Sequence, residues 1–298
     1  MQPIAAGAGS FALGPWQVNR VGYGAMQLAG DGVFGPPLDR GEGLRVLRTA
    51  VDSGVNHIDT AQYYGVGTAN ALIREALHPY PSDLAIVSKV AIRRDEAGGI
   101  HMYDEPHELR AGIEDNLVAL GIDRLAAVNL RLMDDAEPSP RFDAQLKALV
   151  QARDEGLIDG VGLSNISLGH LTRALDQTDI VCVQNLFSLV DQRSKDLLTE
   201  CRSRDIAFVP FFPLGSARGG QPELLSHPVL ADIGARLNAT TAQVALAWLL
   251  DRAPNVLLIP GTRSRDHLLA NNAAGQVHLD DAARDQLART FPAQRSAE

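Results

Sequence analysis

The sequence predicts a (β/α)8 barrel of the TIM type within a single α/β domain. Eight short apolar runs rich in Val, Ile and Leu recur along the chain, each followed by a longer segment with helical periodicity. That alternation argues for parallel strands joined by crossover helices. No low-complexity linker, internal repeat or composition shift divides the 298 residues, a length that such barrels reach as one unit. Polar residues with chemical potential gather at the C-terminal ends of the runs, where barrel enzymes keep their active sites.

Strands are expected at 20–24, 55–59, 84–89, 125–131, 158–164, 180–184, 206–211 and 256–260, and helices near 42–53, 68–77, 106–120, 140–156, 167–177, 191–204, 240–251 and 264–270. The helix at 106–120 shows the logic. Leu109, Ile113, Leu117 and Leu120 recur at three and four residues, while Glu108, Arg110, Glu114 and Asp115 take the other faces. Pro106 suits its first turn and Gly121 its stop. Thr240 or Thr241 is positioned to cap the helix carrying Val244, Ala245, Ala247, Trp248 and Leu249. An N-terminal β-hairpin, 11–13 with 16–18 around Gly14-Pro15, is expected to close the barrel bottom, and an extra C-terminal helix at 280–289 follows the eighth unit.

Composition narrows the function classes. The chain is 45% hydrophobic and 21% charged with a formal net charge of −9, so it has ample core material and lacks the basic footprint that nucleic acid requires. Its two cysteines, Cys182 and Cys201, have no metal-ligand spacing and read as reduced thiols, and no metal is expected. No stretch approaches 18 uninterrupted apolar residues and the N-terminus lacks a basic leader. The expectation is a cytoplasmic protein without membrane contact. Gly22-Tyr23-Gly24 and Gly7-Ala8-Gly9 do not sit between a strand and a helix start, so neither reads as a Rossmann phosphate loop.

Asp59 and Tyr64 fall at the end of the second run, in Val-Asn-His-Ile-Asp-Thr-Ala-Gln-Tyr-Tyr-Gly, and Lys89 ends the third. A tyrosine holds its proton tightly, with an ordinary pKa of about 10. A buried ammonium beside it favours the phenolate, and a carboxylate keeps that ammonium charged. His57 alternates with Asp59 and reads as a core histidine, since no partner motif calls for it.

The pattern Asp-Thr-Ala-x-x-Tyr-Gly followed by a strand ending in Lys resembles the aldo-keto reductases, over roughly 20–271. The resemblance implies reduction of an aldehyde or ketone by hydride transfer, with Tyr64 as acid tuned by Lys89 and Asp59. It selects Tyr64 over Tyr63 because Tyr64 directly precedes Gly65. It further implies a nicotinamide cofactor in the barrel mouth. Gly24, Ala25 and Met26 flank it at the first strand, and Ser164, Asn165 and Gln184 bind its carboxamide. Phe211 stacks on its ring, with Pro213, Leu214 and Ser216 beside the pyrophosphate and Arg218 as a further contact. Gly261, Thr262, Arg263 and Asn271 hold the adenosine phosphate, with His267 a further candidate. Arg263 and Arg265 favour NADP(H) over NAD(H), because a 2′-phosphate suits a bidentate cation.

One departure matters. The family commonly ends its fourth strand with a histidine, and Arg131 stands there in Val-Asn-Leu-Arg, a segment similar to the branch that includes bacterial pyridoxal reductases. An arginine cannot shuttle protons, so Arg131 is read as a cation that either helps to depress the pKa of the Tyr64 phenol or hydrogen-bonds the substrate oxygen, with pyridoxal as the candidate carbonyl. The partner implied is therefore a small molecule, and the default assembly is a monomer. Two rivals stand beside this reading: a regulatory subunit that senses NADPH with little turnover, and a barrel isomerase or lyase on phosphorylated sugars. The second lacks paired carboxylates and a phosphate loop in the sequence.

Overall fold

The computed structural model describes residues 3–95, 97–133, 137–215 and 221–293. The chain opens with the hairpin β1 (Ser10–Leu13) and β2 (Trp16–Asn19), paired so that Leu13 faces Trp16. Gly14 turns it at φ 58°, a left-handed conformation that glycine adopts without strain. Next come β3 (Tyr23–Gly24), β4 (His57–Asp59) and β5 (Ala85–Val90), then an antiparallel excursion, β6 (Ile92–Arg94) with β7 (Ile100–Met102). The strands β8 (Ala127–Arg131), β9 (Val161–Ser164), β10 (Cys182–Leu186) and β11 (Ala207–Phe211) complete a parallel sheet in the order β11-β10-β9-β8-β5-β4-β3.

The eighth barrel position differs from the regular strand expected at 256–260. It consists of two bridges, Val256 with Phe208 and Leu258 with Val21. The Leu258 amide donates to the Arg20 carbonyl and the Gly22 amide returns a bond to the Leu258 carbonyl, each at 2.8 Å. Pro254 and Pro260 bracket the segment and lack the amide donors that would lengthen the ladder. Those bonds close the cylinder all the same. At its lower end Leu13 and Val18 pack with Leu257 and with Ala85, Ala127 and Ala207, small side chains at the starts of β5, β8 and β11 that leave room for the hairpin. The hairpin is therefore a plug, as expected.

Around the cylinder run α1 (Arg40–Asp52), α2 (Thr68–Leu77), α3 (Pro106–Leu120), α4 (Pro140–Asp154), α5 (Leu168–Leu175) and α6 (Lys195–Ser203). They are followed by α7 (Gln221–Leu225), α8 (Pro228–Leu237), α9 (Thr241–Arg252), α10 (Arg265–Asn272) and α11 (Asp281–Thr290). α3 begins with a reciprocal box between Glu105 and Glu108 and stops at left-handed Gly121. Thr240, rather than Thr241, caps α9 in a box with Gln243. α6 starts later than the 191–204 reading because Ser188 and Asp191 exchange backbone bonds in a turn. The helices α7 and α8 and the β6–β7 hairpin are additions to the eight-unit plan. Among the described residues no helix is long and apolar enough to cross a membrane.

His57 points into the barrel, where the absent side chain of Gly22 leaves room: a Cβ there would lie 2.3 Å from the imidazole. Burial pushes its pKa down to about 4, with the Asn19 backbone opposing the shift. Because the folded value lies below the unfolded one of about 6.5, the unfolded chain gains a proton first as pH falls. Stability should therefore drop between about pH 6.5 and 4, by roughly 3 kcal/mol from this group. Thermal melts from pH 7 to 4.5 check this. His57→Gln should flatten the dependence, and an unchanged slope would assign the loss elsewhere.

Candidate active site

The C-terminal ends of the barrel strands bring the singled-out residues together. Asp59 ends β4 opposite Val87, and Lys89 stands two residues further along β5 on the same face. Arg131 ends β8 beside Ser164, which pairs in turn with Gln184 of β10, and Phe211 ends β11 beside Leu186. Tyr64 arrives from the loop after β4, where a tight turn lets its amide bond the Ala61 carbonyl at 3.0 Å. Gly65 then takes φ 66° against the Gly35 carbonyl, which a Cβ would approach to 2.7 Å, so the residue after the tyrosine must be glycine.

Three ionisable side chains form a buried cluster here: Asp59, Tyr64 and Lys89 are 4%, 6% and 8% exposed. Lys89 Nζ donates to Asp59 Oδ1 at 2.5 Å and to the Thr60 carbonyl at 3.1 Å. It lies 5.2 Å from the centre of the Tyr64 ring, whose side chain also favours its charged form. Burial alone would pull the pKa of this lysine down. The Asp59 carboxylate, Tyr64 and the hydrogen bonds more than offset it and hold the ammonium above its ordinary pKa. The second carboxylate oxygen is also committed, since Gln184 Nε2 donates to Asp59 Oδ2 at 2.9 Å. Gln184 Oε1 is buried without a partner.

A cavity of about 120 Å³ opens on this cluster. Of the residues singled out from sequence, Gly24, Met26, Asp59, Tyr64, Lys89, Arg131, Ser164, Gln184, Phe211, Pro213, Leu214 and Gly261 line it. The others are placed around it. Ala25 is buried behind β3. The Asn165 amide donates to the Leu132 carbonyl at 3.0 Å. Thr262 Oγ accepts from the Ser264 amide, and the Thr262 carbonyl accepts from the Tyr23 hydroxyl. Asn271 is buried in α10, and His267 is exposed in its first turn. Arg263 lies 3.5 Å from Asp31 and Arg265 3.1 Å from Glu42, so both cations rest against carboxylates at the rim. Ser216 and Arg218 lie outside the described residues.

Gln27, Phe212 and Ile259 also line the cavity and were not singled out as ligands. Phe212 sits edge-on to Phe211 with ring centres 5.4 Å apart and a φ of 52°. The Phe-Phe-Pro run was the available signal. His101 and Met102 lie in the β6–β7 hairpin and Tyr103 at its exit: His101 bonds Asp95 at 2.6 Å and Tyr103 is buried against α3. Among the described residues no group of three or more His, Cys, Asp or Glu side chains is arranged to hold a metal ion.

A closed parallel barrel with a buried Asp–Lys–Tyr cluster at its mouth defines a class, and the sequence matches it. Residues 20–290 match the aldo/keto reductase family, and the chain belongs to it. It is 47% identical over 276 residues to the pyridoxine 4-dehydrogenase of Escherichia coli K12, covering 91% of this chain and 94% of that protein. Among solved structures, an aldo-keto reductase from Klebsiella pneumoniae in complex with NADPH superposes with a TM-score of 0.81 at 25% identity, covering 97% of both chains. A further aldo/keto reductase from the same organism, with NADP and acetate, gives a TM-score of 0.80 at 24% identity, covering 96% of each chain.

Proposed function

We propose that the chain interconverts pyridoxal and pyridoxine with NADP(H) as the hydride carrier. The observation that carries the chemistry is the buried ammonium of Lys89, bound by Asp59 and Thr60 and set beside the Tyr64 ring in the cavity. The relative named pyridoxine 4-dehydrogenase supports the substrate.

The cavity suits a nicotinamide. Gln184 Oε1 is an unmet buried acceptor, as a primary amide N–H requires, and Phe211 offers a π face. Gly24 and Gly261 let backbone approach backbone where a Cβ on either would come within 2.4 to 2.6 Å of a carbonyl oxygen. Ser164, Asn165 and Gln184 would hold the carboxamide, and Thr262, Arg263, His267 and Asn271 the adenosine phosphate. When bound, the cofactor supplies or accepts the hydride.

The protein's share is proton placement and charge stabilisation. Tyr64 donates its hydroxyl proton to the developing alkoxide oxygen, and the Lys89 ammonium stabilises the phenolate left behind. Asp59, fixed by Lys89 and Gln184, keeps that ammonium in place. Arg131, at the end of β8 on the strand next to that of Lys89, presents a permanent cation to the ionised ring hydroxyl of pyridoxal, next to the aldehyde. NADPH oxidation followed by absorbance with pyridoxal should show many turnovers per enzyme, and a single equivalent would instead mark a cofactor sensor.

Arg131→His tests the recognition. Catalytic efficiency with pyridoxal should fall about a hundredfold, the loss of one charged hydrogen bond, and that with an uncharged aromatic aldehyde by much less. Equal losses on both would remove the role.

A further inference from the structure

Behind the catalytic pair lies a second polar array, on the outer face of the strands. Asp59 and Lys89 point into the barrel, so their chain neighbours Thr60 and Ser88 point out toward the helices. Most of the side chains around them in that layer are apolar. Thr60 Oγ donates to Asn70 Oδ1 at 2.7 Å, and Asn70 Nδ2 donates to Asn116 Oδ1 at 2.9 Å and to Gln62 Oε1 at 2.8 Å. Ser88 Oγ donates to the same Asn116 oxygen at 2.6 Å, and Asn116 Nδ2 donates to the Gly112 carbonyl at 2.7 Å. Thr60, Asn70, Ser88 and Asn116 are fully buried at 0% exposure.

Satisfaction of the array contrasts with its surroundings. Within the barrel His57, Asn129 and Gln184 each leave a buried polar atom unpartnered, whereas no atom of these four side chains is left so. A layer built only to hold helices against a sheet needs shape and apolar area, and buried polar groups add cost unless fully bonded. What directional bonds add is register. The array ties the ends of β4 and β5 to each other through α2 and α3, and its first member, Thr60, also supplies the carbonyl that accepts from Lys89 Nζ. Reactive groups need placement within a fraction of an ångström, and that placement comes from the residues that support them.

We infer that Thr60, Ser88, Asn70 and Asn116 are positioning residues for proton delivery. They fix the Thr60 carbonyl and the Lys89 backbone so that the ammonium stays aimed at Tyr64. This rests on the carbonyl-reductase reading of Tyr64 and Lys89.

The test is single-turnover reduction of pyridoxal by NADPH. Thr60→Val keeps shape and the carbonyl but removes the hydroxyl, and it should slow the hydride step about tenfold, with a larger ratio of rates in H2O over D2O. NADPH affinity by fluorescence quenching should stay within about twofold, and Thr60→Ser should restore the rate. On a Lys89→Met background Thr60→Val should cost nothing further, because the group being aimed is gone. Should Thr60→Val fail to fold, Ser88→Ala carries the same expectations. A full rate in Thr60→Val, or an equal fractional loss with and without Lys89, would overturn the positioning role. Wild type and Tyr64→Phe turning over equally would remove the catalytic reading and the array with it, whereas Tyr64-dependent turnover beside a fully active Thr60→Val removes the array alone.

Discussion

Tyr64→Phe should lose about a thousandfold in turnover while binding NADPH as the wild type does. The substitution deletes one oxygen from a ring that is 6% exposed and leaves its packing in place. What disappears is the proton that the developing alkoxide must receive, and a positioned general acid contributes about 10²- to 10⁴-fold. The middle of that range is expected rather than its lower end, because no other hydroxyl side chain shares the Lys89 ammonium among the contacts described for it. Steady-state kinetics with pyridoxal, together with fluorescence titration of NADPH, separate the two effects. Turnover within a few-fold of wild type would contradict the acid assignment, and loss of cofactor binding would move the role of Tyr64 from chemistry to the cofactor site.

Much of this site was readable because it is local. Asp59, Lys89, Arg131, Ser164 and Phe211 each close or nearly close an apolar run, and a parallel barrel turns run ends into neighbours. The hairpin plug was readable for the same reason, as two short runs meeting at Gly14-Pro15. Closure by an eighth segment at 256–260 was readable, but its reduction to two bridges was not, because it depends on Val21, more than two hundred residues from Leu258, and on prolines that shorten the segment. The bond from Gln184 to Asp59 spans 125 positions and carries no periodic signal. Asn70 and Asn116 likewise look like ordinary polar interruptions in amphipathic helices, and only the assembled layer shows them meeting. The helix α8 was marked by Pro228 at its start and left-handed Asn238 at its end, but it breaks the one-strand-one-helix rhythm used to count units.

The same geometry makes Lys89→Met the most damaging single change to combine chemistry with stability. Removing the ammonium strips Asp59 of its partner at 4% exposure and leaves Gln184 as its one side-chain donor among the described residues. Breaking one half of a buried ion pair costs about 3 to 5 kcal/mol, since the remaining charge is left desolvated. Turnover should fall by about a thousandfold or more, and the thermal midpoint should drop by several degrees. Adding Asp59→Asn to Lys89→Met removes the stranded charge. The double variant should regain most of the lost stability and none of the lost turnover. That divergence separates the two duties of the pair, and a double variant that regained activity along with its melting temperature would show that the ammonium serves the fold alone.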